Sequence, residues 1–356
     1  MSKNIDYIIV GQGLAGTCLA LALLRRSKTI RIIDANEPVT SSKVAAGLYN
    51  PITGRKMVKT WMADELFPFL LDFYREQEVL TGKKFLNDTP IYRPFLSLEE
   101  QNEWMGKSAT PAFEKFIDTV YDKSIAPPVN DTYGGIVLAR SGYLDVAVFL
   151  EAMQEYFMAS ELLEKKQFSF EQLLVNEDSV EYDHITAGRI IFCDGSLWED
   201  NIFFRWLPFR PAKGEVLEVK SSMTLNYIVN RGVFCVPLGN NLFRVGSNYD
   251  NEDHSWAPTE RAKNEIEKKL EGLINVPFET IHQKAGIRPS SRDRRPYIGL
   301  HPKMNNLGLF NGLGTKGVSL APYFGEHFAA CLETGEELNK EVNISRYFSL
   351  YYDSQN

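Results

Sequence analysis

The sequence predicts an α/β (α+β) protein: a Rossmann-like nucleotide-binding domain with an antiparallel-sheet domain interleaved in it. Three observations predict it. A strand, a glycine-bearing turn, a helix and a second strand ending in an acid open the chain. From Gly214 the apolar residues change to a period of two. Near the other terminus a second glycine-rich turn leads into a helix. The 356 residues are enough for two such domains.

Tyr7-Ile8-Ile9-Val10 is a run of the type that fills a buried parallel strand, and it stops at Gly11-Gln12-Gly13-Leu14-Ala15-Gly16. Thr17 to Arg26 reads as a helix with Leu19, Ala20, Leu23 and Leu24 on one stripe, and Ile30 to Asp34 as the next strand. Gly11 permits the tight turn, Gly13 lets backbone approach a pyrophosphate, and Gly16 lets helix and strand pack closely. The helix N-terminus offers free N–H groups to the phosphates, and Asp34 can accept from a ribose hydroxyl. An acid at this position disfavours a 2′-phosphate, which leaves FAD and NAD.

Further along, Asp145 can cap a helix carrying Val146, Phe149, Leu150, Met153 and Phe157 on one face. Phe168 to Val175 and Arg189 to Cys193 read as strands. Gly232 to Pro237 pairs with Leu242 to Gly246 across Gly239-Asn240-Asn241, residues that tolerate positive φ. Pro258 to Ile274 is an amphipathic helix with Ala262, Ile266, Leu270 and Ile274 at four-residue steps. Leu307 to Phe310 is a strand, and Asn311-Gly312-Leu313-Gly314-Thr315-Lys316-Gly317-Val318 leads into a helix near Leu320-Ala321-Pro322, with the proline expected in the first turn. Such a turn is an anion site that suits the N1–C2=O edge of a flavin, where Lys316 can add a full charge.

Composition narrows the class. Hydrophobic residues are 44% and charged residues 24%, an ordinary globular balance. A formal net charge of −7 argues against a chain that works by coating nucleic acid, although Lys284 and four arginines against Asp293 give a local basic stretch. The four cysteines are scattered, so neither a metal site nor a disulfide framework is expected, and a cytoplasmic location without a membrane span is.

After the second strand comes Ser41-Ser42-Lys43-Val44-Ala45-Ala46-Gly47-Leu48-Tyr49, a run whose small side chains let backbone lie against a flat ring. With Gly286-Ile287-Arg288-Pro289-Ser290-Ser291-Arg292-Asp293 and Gly312-Leu313-Gly314-Thr315-Lys316-Gly317, it resembles the D-amino-acid oxidase superfamily of FAD-dependent oxidoreductases. Within it the chain is similar to glycine oxidase, and most to the FAD oxidase domain of the bifunctional tRNA wobble-uridine modification enzyme. The methyltransferase half of that enzyme has no counterpart here, and Leu313-Gly314-Thr315 differs from glycine oxidase.

The resemblance implies a non-covalent FAD held by Gly11, Gly13, Leu14, Ala15, Gly16, Asp34, Ala35, Ser41, Ser42, Ala46, Gly47 and Leu48, then by Gly312, Leu313, Gly314, Thr315, Lys316, Gly317 and Val318. It also implies that the Phe170 backbone meets the adenine and that Arg288 clasps a substrate carboxylate; Tyr49, which follows the flavin-facing run, is expected to wall the substrate pocket. Residues 1–90, 140–212 and 286–356 are expected to form the FAD domain, and 91–139 with 213–285 the substrate domain. The implied reaction is oxidation of the C–N bond of an amine that carries a carboxylate, by hydride transfer to flavin N5. The substrate is a small amino acid or N-substituted glycine, or a carboxymethylaminomethyl-uridine in tRNA, with oxygen or another acceptor taking the electrons. The alternatives are an NAD(P)H-linked flavin reductase or dehydrogenase, for which no second G-x-G-x-x-G is found, and a flavin-binding protein without turnover.

Overall fold

A computed structural model describes residues 3–54 and 56–354. Two large sheets organise it. In the first, the strands Leu163–Lys165, Ile30–Asp34, Lys3–Val10, Ile185–Phe192 and Leu307–Asn311 run parallel in that order. Ile185–Phe192 is shared along its length. Its first half pairs antiparallel with Val180–Tyr182, and its second half pairs parallel with Leu307 to Leu309. The chain departs in opposite directions from Lys3–Val10, to Ile30–Asp34 on one side and Ile185–Phe192 on the other, so a crevice opens beyond Val10 and Phe192. Ile8, Ile9, Ile32, Ile33, Ile190 and Ile191 are all fully buried, as expected for strands covered on both faces.

The second sheet has the order Glu279–Arg288, Ala212–Lys220, Leu242–Gly246, Val233–Gly239, Ile228–Arg231, Ile91–Pro94, Gly135–Leu138, Ile117–Tyr121. It is antiparallel except where Ile228 and Val229 run beside Ile91 and Tyr92. The expected hairpin is present, with Gly239, Asn240 and Asn241 at φ of 85°, 52° and 60°. Helix Glu260–Leu273 starts at the cap Thr259, buries Ala262, and lays Ile266 and Leu270 on one face of this sheet, in one cluster with Leu217, Val219 and Val245. Alternation therefore leaves Gly214, Val216, Phe234, Gly246, Gly286 and Arg288 for the other face, toward the first sheet.

Three elements differ from the sequence expectation. The first helix is Leu14–Arg25, so Gly16 lies inside its first turn. Only Leu173–Val175 of the run from Phe168 is strand. Phe168 stacks on Tyr182 at 4.6 Å and Phe170 on Phe192 at 5.7 Å, so both rings turn into one cluster instead of alternating. Finally, the last long helix is Gly317–Thr334, which puts Pro322 in its interior rather than in its first turn. A proline there leaves the carbonyl of Val318, four residues back, without its helical donor. The buried Tyr74 hydroxyl of helix Ala63–Thr81 donates to it at 2.9 Å. Among the described residues no helix is long and apolar enough to cross a membrane.

Tyr74→Phe leaves that buried carbonyl without a partner and should lower stability by about 1–3 kcal/mol. Thermal melts of wild type and variant at equal FAD concentration check it, since bound ligand shifts both midpoints.

Candidate functional site

The crevice predicted by the strand order is a cavity of about 900 Å³ between the two sheets, at the upper end of the range for small-molecule sites, about 300–1,000 Å³. Gly11 has φ 100°, and a Cβ on it would meet the Cys193 carbonyl oxygen at 2.5 Å, so the turn must be glycine for both reasons. Gly16 would meet the Gly11 oxygen at 1.9 Å; it serves packing and does not line the cavity. At Gly13 the nearest atom to such a Cβ is Ser42 Oγ at 3.4 Å, and the space is cavity. Gly13 begins helix Leu14–Arg25, which has no side-chain cap and no acid in its first turn.

Asp34 lies at the neighbouring strand end. Its carboxylate accepts from the backbone N–H groups of Gln12 and Asn36, both at 2.6 Å, and faces the cavity with its remaining lone pairs. Gln154 ties the two turns together, donating to Gln12 Oε1 at 3.3 Å and Asn36 Oδ1 at 3.0 Å. Ala35, Ser41, Ser42, Ala46, Gly47 and Leu48 follow along the wall. Gly47 has φ 75° and sits so close to Leu144 that a Cβ would be 1.8 Å from its carbonyl oxygen. The Leu144 N–H in turn donates to Gly47 O at 2.9 Å, which fixes this run against the cavity.

The opposite end is closed by Leu313, Gly314, Thr315, Gly317 and Val318. Helix Gly317–Thr334 also begins with no side-chain cap and no first-turn acid. Two helix N-termini from the two ends of the chain therefore face one cavity, and each presents roughly half a positive charge. An anionic dinucleotide with a flat ring fits this wall. Free N–H groups over Gly13 would receive its phosphates, Asp34 would accept from a ribose hydroxyl, and Ala46–Leu48 with Leu313–Thr315 would hold its ring.

Other expected residues are placed elsewhere. Gly312 is buried behind the loop against Tyr297, 3.1 Å from its nitrogen to an added Cβ. Lys316 turns to the hairpin Ile52–Lys59, donating to Thr60 Oγ1 at 3.2 Å and Thr53 Oγ1 at 3.4 Å. Burial, reinforced by nearby Arg295 and Arg294, pulls its pKa down to about 8. Tyr49 is buried, with its hydroxyl on Asn87 O and Asp88 Oδ1, and does not reach the cavity. Phe170 packs on Phe192, while Gln167 and Phe168 supply the wall at that point.

Arg288 does enter the cavity. Its guanidinium donates to Ser247 Oγ at 2.7 Å and to Lys213 O at 3.2 Å, and lies over the Tyr249 ring at 4.5 Å. Gly214 makes the room, because a Cβ there would be 1.8 Å from Nη2. No ion pair among the described residues involves Arg288, and burial draws its pKa down. The loop that carries Ser247, Tyr249 and Trp256 is tethered by the fully buried Lys213, whose Nζ donates to Asp253 at 2.6 Å, Ser255 Oγ at 3.1 Å and Ala257 O at 2.5 Å. The basic stretch of 284–295 does not form one patch: Arg295 pairs with Glu341, Asp293 is held by Arg346, and Arg288 turns inward.

Sequence reasoning missed Asp194 and Gly195, which line the cavity after strand Ile185–Phe192. Burial raises the Asp194 carboxyl to about 6, partly offset by donors from Asn201 and Asn311. The available signal was position, because residues beyond the carboxyl end of a parallel strand next to the first one flank the crevice. Asn230, Phe234, Ser247 and Trp256, also missed, line the substrate-sheet side. No local motif marks them.

Comparisons with known proteins identify the family. Residues 6–331 match the family model described as FAD dependent oxidoreductase (DAO). The bifunctional tRNA 5-methylaminomethyl-2-thiouridine biosynthesis protein of Idiomarina loihiensis is 23% identical over 96% of this chain, and the aligned part spans 59% of that protein's length. Glycine oxidase of Pseudomonas aeruginosa is 22% identical over 90% of this chain and 92% of its own. Among solved structures, iminodiacetate oxidase from Chelativorans sp. BNC1 shares the fold with a TM-score of 0.79 at 20% identity, covering 96% of this chain and 98% of that one. The chain belongs to the DAO family of FAD-dependent oxidoreductases and is an enzyme that uses FAD.

Proposed function

We propose that this enzyme oxidises the C–N bond of an amine bearing a carboxylate, an amino acid or N-substituted glycine, with 91–139 and 213–285, extended to Arg288 by strand Glu279–Arg288 of the second sheet, forming the substrate side and the remaining segments the cofactor side. The observation that carries the reading is Arg288: a guanidinium turned into the cavity, with no carboxylate of its own. Leaving such a charge without an anion is costly, and a substrate carboxylate offers the two-pronged partner its geometry suits. The relatives named for glycine and iminodiacetate are named for amino carboxylates, which supports the same class.

Bound FAD supplies the hydride acceptor for the carbon next to the amine. The chain's own part is placement. Arg288 holds the carboxylate, Ser247 and the Lys213 carbonyl hold Arg288, and Phe234 with Trp256 wall the space against water. Among the described residues the substrate-side wall presents no carboxylate or imidazole, so the amine must arrive neutral or lose its proton to water. Placement of this type can supply a large part of a barrier reduction without an acid–base pair.

Anaerobic mixing of the FAD-loaded enzyme with N-methylglycine, glycine, D-alanine and NADH in turn tests the reading. Loss of the oxidised-flavin absorbance with an amino carboxylate is expected; bleaching by NADH alone, or by none of them, would overturn it. Arg288→Ala should weaken carboxylate substrates by roughly ten- to a hundredfold, about 1.5–3 kcal/mol for a charged hydrogen-bonded contact. Gly214→Ala should raise KM at least about tenfold by displacing the guanidinium, while FAD retention stays at the wild-type level. Steady-state kinetics alongside a flavin-to-protein absorbance ratio separates the two effects.

A further inference from the structure

Two carboxylates of the crevice are held in different ways. Asp34 accepts from two backbone N–H groups, whereas Asp194, just beyond strand Ile185–Phe192, accepts from two side-chain amides. Asn201 Nδ2 donates to one Asp194 oxygen at 2.7 Å and Asn311 Nδ2 to the other at 2.8 Å. Neither amide is free to turn round. Asn201 Oδ1 is taken by the Phe203 N–H at 3.1 Å and Asn311 Oδ1 by the Gly312 N–H at 2.7 Å, while Asn311 Nδ2 also reaches the Gly195 carbonyl at 2.9 Å. Both asparagines are buried, so position 194 has to offer two acceptors, which a carboxyl does and an amide does not.

No cation balances this carboxyl: no ion pair among the described residues includes it. On its own segment stand Cys193, a thiol that burial keeps neutral, as it does Cys18 beside it, and Asp200, which adds a like charge from the end of the short helix Gly195–Asp200. The neighbouring turn Gly11-Gln12-Gly13, strand Leu307–Asn311 and Asn201 bring no titratable group. Arg288, from the strand packed on that short helix, is engaged with Ser247 and the Lys213 carbonyl. Burial holds the Asp194 carboxyl up at about 6, and the two amides offset part of the rise. Asp194 is half-buried and lines the cavity, and a Cβ on Gly11 would lie 3.6 Å from its nitrogen, which sets it beside the turn that offers N–H groups to phosphates. A cofactor seated there would take water from the open side of the carboxyl and bring an anionic diphosphate into the same crevice. Both changes disfavour the ionised form.

We propose that Asp194 is a residue of the cofactor site that meets FAD as the neutral carboxylic acid, so that FAD loading takes up one proton from water onto an Asp194 oxygen. The neutral acid still accepts from both amides and gains an O–H to offer to the cofactor. Affinity is then full below the pKa of the free protein and falls as the pH rises through it, because an ionised Asp194 must first be protonated. The proposal concerns cofactor loading and stands apart from the amine-oxidation reading.

Calorimetric titration of the full chain, stripped of FAD, with FAD in PIPES and in ACES counts the protons, because the two buffers differ in heat of ionisation. The cofactor has no titrating group of its own near neutrality. Wild type should take up at least about half a proton per FAD at about pH 7. FAD released on dilution of the loaded enzyme, followed by flavin fluorescence, should show binding about tenfold weaker or more at about pH 8 than at about pH 6. Asp194→Asn should abolish both the proton uptake and the slope. Asn201→Ala keeps the carboxyl but removes a donor to its ionised form, so the fall in affinity should move to higher pH. A residue that merely held the turn in place would weaken FAD equally at every pH. A wild-type count near zero, or an Asp194→Asn protein with the wild-type count and slope, overturns the proposal. Where Asp194→Asn does not fold, an unmoved profile in Asn201→Ala overturns it, and a profile moved to higher pH supports it.

Discussion

The site depends on how closely two helices approach. Gly325, in the middle of helix Gly317–Thr334, packs on helix Leu14–Arg25 so tightly that a Cβ would lie 3.0 Å from the Cys18 carbonyl carbon and 3.1 Å from the Leu19 nitrogen. Nearer the cavity, Leu14 Cδ1 would be 3.1 Å from a Cβ on Gly317. These contacts align two helix starts that are some three hundred positions apart in the chain, so that both open into one crevice. Neither terminus carries an acid or a side-chain cap, and the two positive ends add in the one crevice, which would favour an anionic cofactor. The interior proline that this arrangement tolerates is compensated from a third helix by Tyr74.

Across the cavity the design is different. The substrate side is one face of an antiparallel sheet that lacks side chains at three positions: Gly214 leaves room for the Arg288 guanidinium, Gly246 for Phe234 and Val216, and Gly286 for Val44. A buried lysine supports the loop next to it. Lys213 is fully enclosed, yet its ammonium has Asp253, Ser255 and the Ala257 carbonyl as partners, with Glu215 at 3.7 Å. Satisfied in this way, a buried charge is tolerated and orders its surroundings, whereas Arg288, with no ion pair among the described residues, turns its guanidinium into the cavity.

The nucleotide half was largely legible in the sequence. Gly11, Gly13 and Asp34 occupy positions where local geometry decides the residue, and a strand–turn–helix–strand unit of short range carries its own signature. The hairpin tip at Gly239–Asn241 and the Asp145 and Thr259 caps are equally local. Where long-range packing decides, the reading failed. Phe168 and Phe170 have strand composition, but stacking on Tyr182 and Phe192 turns them out of the sheet. Pro322 reads as a first-turn residue because nothing nearby announces the donor that lets the helix start earlier. Lys316 and Tyr49 lie next to wall residues in sequence, but their side chains point to Thr60 and Asn87, and adjacency carries no information about direction. Asn230 and Phe234 pair across a tight local hairpin, but which way that hairpin faces, and its meeting with Trp256 on the loop that Lys213 tethers, are decided by long-range packing.

Strand Leu307–Asn311 completes the parallel sheet and hands the chain directly to the loop that closes the cofactor cavity. The two turns that meet at this crevice, Gly11–Gly16 and Leu313–Val318, stand some three hundred positions apart. A cofactor seated against both would fasten segments that no local contact joins, and its departure would loosen them together.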